Sequence, residues 1–224
     1  MDIKKKLFEL KDKNIKAFSS SLTPNIESSR IIGVRVPLLR ALAKGVDEET
    51  AKVFLEEKDH HYMEEKMVHR YLIENIKDYN TMILYLEKFL PMIDCWTVCD
   101  GFSNKAIKKH LDDFIVLVKK WLKSRHVYTR RFALGMLMAY YLDDAFKEEY
   151  LELAARVPTD GEYYLIMMKG WYFATALAKQ WDSSIKIIEN RVLDVESHNK
   201  AVRKSIESFR ISDEHKDYLR TLKR

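Results

Sequence analysis

Residues 61–90 read HYMEEKMVHRYLIENIKDYNTMILYLEKFL, and they carry two clear runs of helical pattern. Apolar residues recur at helical spacing through 61–77 and again through 79–90. Neither run shows the sustained alternation that is typical of a half-buried β-strand. The stretch therefore predicts two short helices that are joined by a brief link.

The same pattern extends outward in both directions. It predicts one opening helix within residues 2–20, a polar break from Ser19 to Ser29, and further helices at about 38–44, 47–58, 94–109, 112–124, 127–143, 147–156, 161–180, 183–190, 197–210 and 213–222. Pro37 is predicted as the first residue of its helix, Gly45 as a C-cap, and Asp47 as the N-cap of the following helix.

The helices follow in pairs at a spacing of roughly 30–40 residues, which is typical of HEAT or armadillo repeats. This rhythm predicts an all-α fold in which one domain, residues 1–224, forms a curved solenoid of HEAT-like repeats. The concave face of such a solenoid is a natural binding surface. The helix pairs share little sequence identity, so a compact irregular bundle is the structural alternative.

Composition narrows the class of protein. The 224 residues include only 6 Gly and 4 Pro, as expected for a mostly helical chain. No run of about 18 apolar residues exists, and residues 1–6 lack the apolar region of a signal peptide, so a cytoplasmic protein without a membrane segment is predicted. Cys95 and Cys99 are predicted to be buried free thiols, because two cysteines alone suggest no disulfide framework.

Positive charge is concentrated in one segment. The whole chain has a net charge of +5, whereas residues 105–131 contain nine Lys or Arg against two Asp, an excess of +7. These basic residues are Lys105, Lys108, Lys109, Lys119, Lys120, Lys123, Arg125, Arg130 and Arg131. Such a cluster is either a solvated helical face or a surface for a polyanion such as nucleic acid, and charge alone favours neither.

His60, His61 and His69, with Glu64 and Glu65, form a candidate metal cluster. No HExxH pattern and no third strong ligand accompany them, so the favoured interpretation is a solvated helix start with surface imidazoles. Neither a metal nor a cofactor is predicted. Walker, dinucleotide-binding, G-x-S-x-G and zinc-deaminase patterns are also absent, which argues against nucleotide-hydrolysing, cofactor-dependent and serine-hydrolase enzymes.

The segment Asp94–Asp100 reads DCWTVCD and places a carboxylate beside an indole in apolar surroundings. Trp96 and Asp100 are four residues apart, so on a helix they lie about 40° apart on one face. Asp94 is predicted as the N-cap of that helix.

Two further residues stand out in later helices. Arg131 lies just inside a strongly apolar helix, and Trp171 follows Gly170. A glycine within a helix costs about 1 kcal/mol relative to alanine, so Gly170 predicts that another group approaches closely there. The structural alternative is that the tryptophans belong to the core and that Arg131 is an ion-pair partner of Asp100.

At these residues the chain resembles the AlkD-like family of DNA alkylation repair proteins, which are HEAT-like repeat DNA glycosylases. They excise cationic alkylpurines such as 3-methyladenine and 7-methylguanine. The likeness extends from Ile32-Gly33-Val34-Arg35 through the Asp94–Asp100 segment and Arg131-Phe-Ala-Leu to Gly170-Trp171. The resemblance implies that four residues line a concave, basic cleft as catalytic residues: Asp100, Trp96, Trp171 and Arg131.

The resemblance also implies a mechanism. An N-alkylated purine is already cationic, so it is a good leaving group, and its departure develops oxocarbenium character on the sugar. Asp100 would stabilise that cation and position the attacking water, the two indole faces would cradle the sugar, and Arg131 would bind a backbone phosphate. Unlike most glycosylases, the family is known to work without drawing the base into a pocket.

The implied partner is double-stranded DNA with alkylated bases, bound by a monomer. Further phosphate contacts, with a strong dependence on salt, would come from Arg130, Lys105, Lys108, Lys109, Lys123, Arg125, Lys200, Arg203 and Lys204.

One departure from the family concerns the start of the chain. Active members carry two helices ahead of the Gly-x-x-x-Pro connector, here Gly33 to Pro37, whereas the pattern predicts only one helix in residues 1–30. Two other functions therefore stay open beside a glycosylase. One is a non-catalytic protein that binds bent or branched DNA, and the other is a scaffold for protein interactions, the commonest use of such solenoids.

Overall fold

The computed structural model describes all residues from Met1 to Arg224 and contains helices and turns but no β-strand, which confirms the all-α fold. Side-chain N-caps begin several of the helices. Asp47 accepts the backbone N–H of Thr50 at 2.8 Å, as predicted, and Asp78 accepts that of Thr81 in the same way. None of the helices is both long and apolar enough to cross a membrane.

The chain divides into two compact units, and the first comprises Met1–His110. Its helices are α1 (Ile3–Glu9), α2 (Lys13–Leu22), α3 (Val36–Gly45), α4 (Glu48–Leu55), α5 (Met63–Asn75), α6 (Tyr79–Phe89) and α7 (Trp96–Cys99). Short 3₁₀ turns lie at Ser28–Arg30, Leu90–Met92 and Lys105–Lys109. Helix α5 is buried from Met63 to Ile73 and packs against α1, α3, α4, α6 and α7, so it is the central element of this unit.

The second unit comprises Leu111–Arg224. Its helices are α8 (Leu111–Trp121), α9 (Val127–Tyr140), α10 (Glu149–Ala155), α11 (Tyr163–Lys179), α12 (Trp181–Glu189), α13 (Val195–Ile206) and α14 (Asp213–Thr221). Helix α11 is the central element here, because it packs against α9, α10, α12 and α13.

Buried basic side chains bind the segment that lies about one helix pair further along the chain. Lys66 binds the carbonyl of Met92 and the carboxylate of Asp94, 26 and 28 residues later. Arg130 binds the carbonyl of Pro158 and the carboxylate of Asp160, 28 and 30 residues later. These separations of 26 to 30 residues lie at or just below the spacing of roughly 30–40 residues that was predicted for the helix pairs. The curvature of a solenoid stays a prediction.

Two helices, not the predicted single helix, precede the Gly33–Pro37 connector. Helix α1 ends at Glu9, and the Asp12 carboxylate then accepts the N–H groups of Asn14 and Ile15, at 2.8 and 3.3 Å, to begin α2. The prediction was wrong because the hydrophobic pattern continues across an aspartate that acts as a new N-cap. The polar break is correspondingly shorter, since α2 runs to Leu22.

Gly33 allows α2 to pack against the connector. Its φ of +91° is rarely adopted by other residues, and an added Cβ would lie 2.6 Å from the Asp12 carbonyl oxygen and from the backbone nitrogen of Lys16. The Asp12 N–H donates to the Gly33 carbonyl at 2.8 Å. The prediction that Gly45 is a C-cap was wrong, because Gly45 is the last residue of α3 and Val46 follows as the cap.

Candidate active site

The segment Asp94–Asp100 is not part of a long helix. Helix α7 is a single turn, and Asp100 follows its last residue with an extended backbone (φ −84°, ψ 150°), so the predicted helix over 94–109 was wrong. One helical hydrogen bond nevertheless joins the two candidate residues, because the Asp100 N–H donates to the Trp96 carbonyl at 2.8 Å. Both side chains are partly exposed, whereas Val98 is fully buried. The Trp96 indole and the Asp100 carboxylate therefore extend from a turn whose Val98 side chain is buried.

Asp94 is an ion-pair partner and not the N-cap that was predicted. Cys95 occupies the N-cap position, and the Asp94 carboxylate lies 2.9 Å from Lys66 Nζ and 3.0 Å from Arg30 Nη2. Because Lys66 is buried, its charge requires a partner, and Asp94 supplies it. Asn25 donates its side-chain amide to the Asp94 carbonyl at 2.8 Å.

The far end of the segment is bound by Arg70 of α5. Its Nη1 lies 3.3, 3.1 and 2.5 Å from the carbonyl oxygens of Thr97, Val98 and Asp100. One buried helix therefore holds both ends of the segment, through Lys66 at the start and Arg70 at the end.

Helix α2 near the N-terminus also contacts the candidate site. The indole N–H of Trp96 donates to the carbonyl of Leu22, the last residue of α2, at 2.9 Å. This hydrogen bond fixes the orientation of the indole, and it gives residues 1–30 a direct structural link to Trp96.

The cysteines of the segment are buried free thiols, as predicted. Burial raises the pKa of Cys95 to about 11, so its thiol stays protonated at neutral pH.

Arg131 and Arg130 are both buried in α9 of the second unit. Arg131 is 6% exposed and donates a hydrogen bond to the carbonyl of Tyr164 in α11. Arg130 Nη1 lies 2.7 Å from the carbonyl oxygen of Pro158 and 2.8 Å from the carboxylate of Asp160. The predicted phosphate contacts of both residues stay predictions, and each guanidinium has a structural role.

Trp171 is exposed on a helix whose other apolar residues are mostly buried, with 41% of its surface accessible. Gly170 beside it meets Lys200 of α13: an added Cβ would lie 2.4 Å from Lys200 Cγ and 2.8 Å from Lys200 Cβ. The predicted close approach is thus the crossing of α11 and α13. This crossing places the partly exposed Lys200 next to Gly170, the residue before Trp171.

The remaining basic residues of the predicted DNA-binding set lie at or near the surface. Six are exposed, namely Lys105, Lys108, Lys109, Lys123, Arg125 and Arg203, and two are partly exposed, namely Lys200 and Lys204. Arg203 pairs with Glu207 at 2.9 Å, whereas the exposed residues between 105 and 125 in this set make no ion pair with a carboxylate. The side chains without such a pair can each neutralise a phosphate without first breaking an internal ion pair.

The histidine cluster is not a solvated helix start, so that interpretation was wrong. His60 and His69 are buried, and His60 Nε2 lies 2.7 Å from His69 Nδ1. Burial lowers the pKa of His60 to about 4 and that of His69 to about 3, so both imidazoles are neutral at pH 7. No group of three or more His, Cys, Asp or Glu side chains is arranged to hold a metal ion.

Glu64, one of the two carboxylates of that cluster, supports the connector instead. It is 1% exposed and accepts the N–H groups of Ile32 and Gly33 at 3.0 and 2.7 Å. Sequence reasoning did not assign this role, nor those of Lys66 and Arg70. The sequence did contain a signal for these roles. Charged residues occur at nearly every turn of α5, and apolar residues lie beside them in the sequence.

Comparison with known proteins agrees with the resemblance. A family profile described as DNA alkylation repair enzyme matches residues 3–204, which is most of the chain and includes all four candidate catalytic residues. No individual curated protein matches the sequence. The chain belongs to the family of DNA alkylation repair enzymes.

Proposed function

We propose that this protein is a DNA glycosylase that excises positively charged alkylpurines, such as 3-methyladenine and 7-methylguanine, from duplex DNA. Membership of the DNA alkylation repair family supports the general class. The observation that carries the proposal is the Asp94–Asp100 segment, where a partly exposed carboxylate and indole stand on a turn that Lys66 and Arg70 anchor at both ends. A rigid mounting of this kind suits a carboxylate that must act at a defined distance.

In the proposed reaction Asp100 faces the sugar of the damaged nucleotide. As the bond between the cationic base and C1′ breaks, the carboxylate stabilises the positive charge on the sugar and positions a water molecule for attack. Trp96 and Trp171 offer indole faces to the cationic sugar. Arg131 is assigned to a phosphate by the family resemblance, and because it is buried, the DNA backbone has to approach α9 closely for that contact.

The N-terminal region is consistent with this proposal. Two helices precede the connector, as the resemblance implies for active members, and the second is hydrogen-bonded to Trp96 through Leu22.

The test is release of 7-methylguanine from methylated duplex DNA. Wild-type protein should release the base, and Asp100→Asn should lose the activity while binding DNA as before, since the substitution preserves shape and removes charge. Asp182→Asn, the same change at an exposed position of α12, is the control and should release the base at the wild-type rate. Undiminished release by Asp100→Asn would refute the mechanism.

The second candidate is a non-catalytic DNA-binding protein, which the exposed lysines Lys105, Lys108, Lys109 and Lys123 favour. It should bind DNA in a salt-sensitive manner, release no base, and be indifferent to Asp100→Asn. A protein-interaction scaffold would instead show no binding to duplex DNA at moderate salt.

A further inference from the structure

Arg70 is a buried cation that the proposed chemistry does not use directly. It is 3% exposed, and its Nη1 is directed at the Thr97, Val98 and Asp100 carbonyls. The last carbonyls of any helix lack partners within the helix, and here the helix is a single turn. The guanidinium supplies those partners at the point where the chain leaves α7.

The guanidinium of Arg70 is itself held in place from the side. Its Nε lies 3.4 Å from Glu74 Oε1, where the two groups form an ion pair without a hydrogen bond. The other oxygen of Glu74 is 3.0 Å from Arg40 Nη1. The Arg40–Glu74–Arg70 series leads from an exposed guanidinium to the backbone of Asp100.

We infer that Arg70 is a positioning residue, which fixes the Asp100 carboxylate by binding the Asp100 carbonyl. The inference rests on the proposed function for its consequence in catalysis, but the contact itself is independent of it. Asp100 has an extended backbone just beyond a four-residue helix, where little regular structure restrains it. A displacement of about 1 Å at a reacting group can lower a rate by roughly 100-fold.

The first test is single-turnover release of 7-methylguanine with enzyme in excess, together with the Kd for the same DNA. Arg70→Gln should lower the rate by roughly 100-fold and leave Kd within about twofold. Arg70→Lys should recover part of the rate, because an ammonium still reaches a carbonyl but lacks the fork of the guanidinium.

Val68→Ala is the matched control. Val68 is fully buried on the same helix, so its truncation lowers thermal stability without touching the polar contacts of Arg70. Its rate should equal that of wild type below the unfolding transition. The inference is overturned if Arg70→Gln keeps the wild-type rate, if it acts only on Kd, or if Val68→Ala slows release as much at an equal loss of Tm.

A second measurement does not depend on activity. The amide hydrogens of Cys99 and Asp100 donate to the carbonyls of Cys95 and Trp96 at 3.1 and 2.8 Å, so their exchange with solvent reports whether α7 is intact. Exchange should accelerate in Arg70→Gln and not in Val68→Ala. If wild-type protein releases no base, the proposed function fails, and exchange alone decides on Arg70: unchanged protection in Arg70→Gln would overturn its positioning role.

Discussion

At Gly170 the absence of a side chain decides how two helices cross. Because an added Cβ would also lie 3.2 Å from the backbone carbon of Lys200, moving the lysine side chain alone cannot relieve the clash. We expect Gly170→Ala to lower the free energy of unfolding by about 1–3 kcal/mol, measured by chemical denaturation.

Gly135 of α9 provides the matched control for that substitution. It is also a helical glycine, but an added Cβ there meets only Met168 Cε at 3.8 Å, an ordinary van der Waals distance. Gly135→Ala should therefore stabilise the protein by up to about 1 kcal/mol, through helix propensity. Equal effects of the two substitutions would contradict the steric explanation.

The His60–His69 pair makes stability depend on pH. The folded pKa values of about 4 and 3 lie below the value of about 6.5 for an unfolded imidazole. As the pH falls from about 6.5 towards 4, the unfolded chain takes up protons that the folded chain does not, so the free energy of unfolding decreases. The expected slope is about 1.4 kcal/mol per pH unit for each imidazole.

Urea unfolding between about pH 7 and pH 5 measures this slope. The double variant His60→Phe, His69→Phe lacks both titrations and should have a flatter profile. His61→Phe, at an exposed neighbour, should keep the wild-type slope. A wild-type profile as flat as that of the double variant would contradict the lowered pKa values of the folded pair.

At the scale of single elements, periodicity predicted most helices, but neither the division between α1 and α2 nor the single turn of α7. Helices α8 to α14 fall close to their predicted positions, because apolar residues recur at helical spacing in each. The errors lie where capping overrides periodicity. Asp12 is the N-cap of α2, although it lies in the middle of an apolar pattern. At Asp100 the backbone becomes extended, which ends α7 after one turn.

The charged residues of α5 show why part of the site was missed. A charged side chain in an amphipathic pattern is ordinarily assigned to the solvent face. Here Glu64, Lys66 and Arg70 are buried and find their partners in segments that lie 26 to 32 residues away, in either direction along the chain. Contacts at that distance follow from tertiary packing, which the local pattern does not encode.

Glu64 offers a test of how the connector is held. Its two oxygens accept two buried N–H groups, whereas a glutamine offers one carbonyl oxygen and directs an NH₂ group at the second donor. Glu64→Gln should therefore lower the free energy of unfolding by about 1–3 kcal/mol. It should also accelerate amide exchange at Ile32 and Gly33, while Glu49→Gln, at an exposed site of α4, should change neither.

For the whole molecule, the family resemblance supplied the candidate catalytic residues, and the structure adds how their segments are held. Trp96 and Asp100 share one anchored turn in the first unit, while Trp171 lies on the central helix of the second. The sequence showed that basic residues are concentrated between 105 and 131, but it did not show which of these residues are buried. Arg130 is paired internally, whereas Lys105, Lys108 and Lys109 are exposed.

Those three lysines permit a quantitative test of DNA binding. Each phosphate contact releases counterions, so log K falls against log salt with a slope of about −0.9 per contact. Replacing Lys105, Lys108 and Lys109 by alanine should make the slope shallower by up to about 2.7 if all three contact phosphates. Fluorescence anisotropy with a labelled duplex, over a series of salt concentrations, measures the slope.

A second triple variant separates local contacts from net charge. Lys6, Lys88 and Lys216 are each paired with a nearby carboxylate, Glu9, Glu56 and Asp213 respectively. Replacing them by alanine removes the same three positive charges from a chain whose net charge is +5. This variant should keep the wild-type slope, because its lysines are engaged within the protein. Equal slopes for the two triple variants would mean that DNA binding depends only on the overall charge of the protein. Lys105, Lys108 and Lys109 would then make no specific contact with DNA.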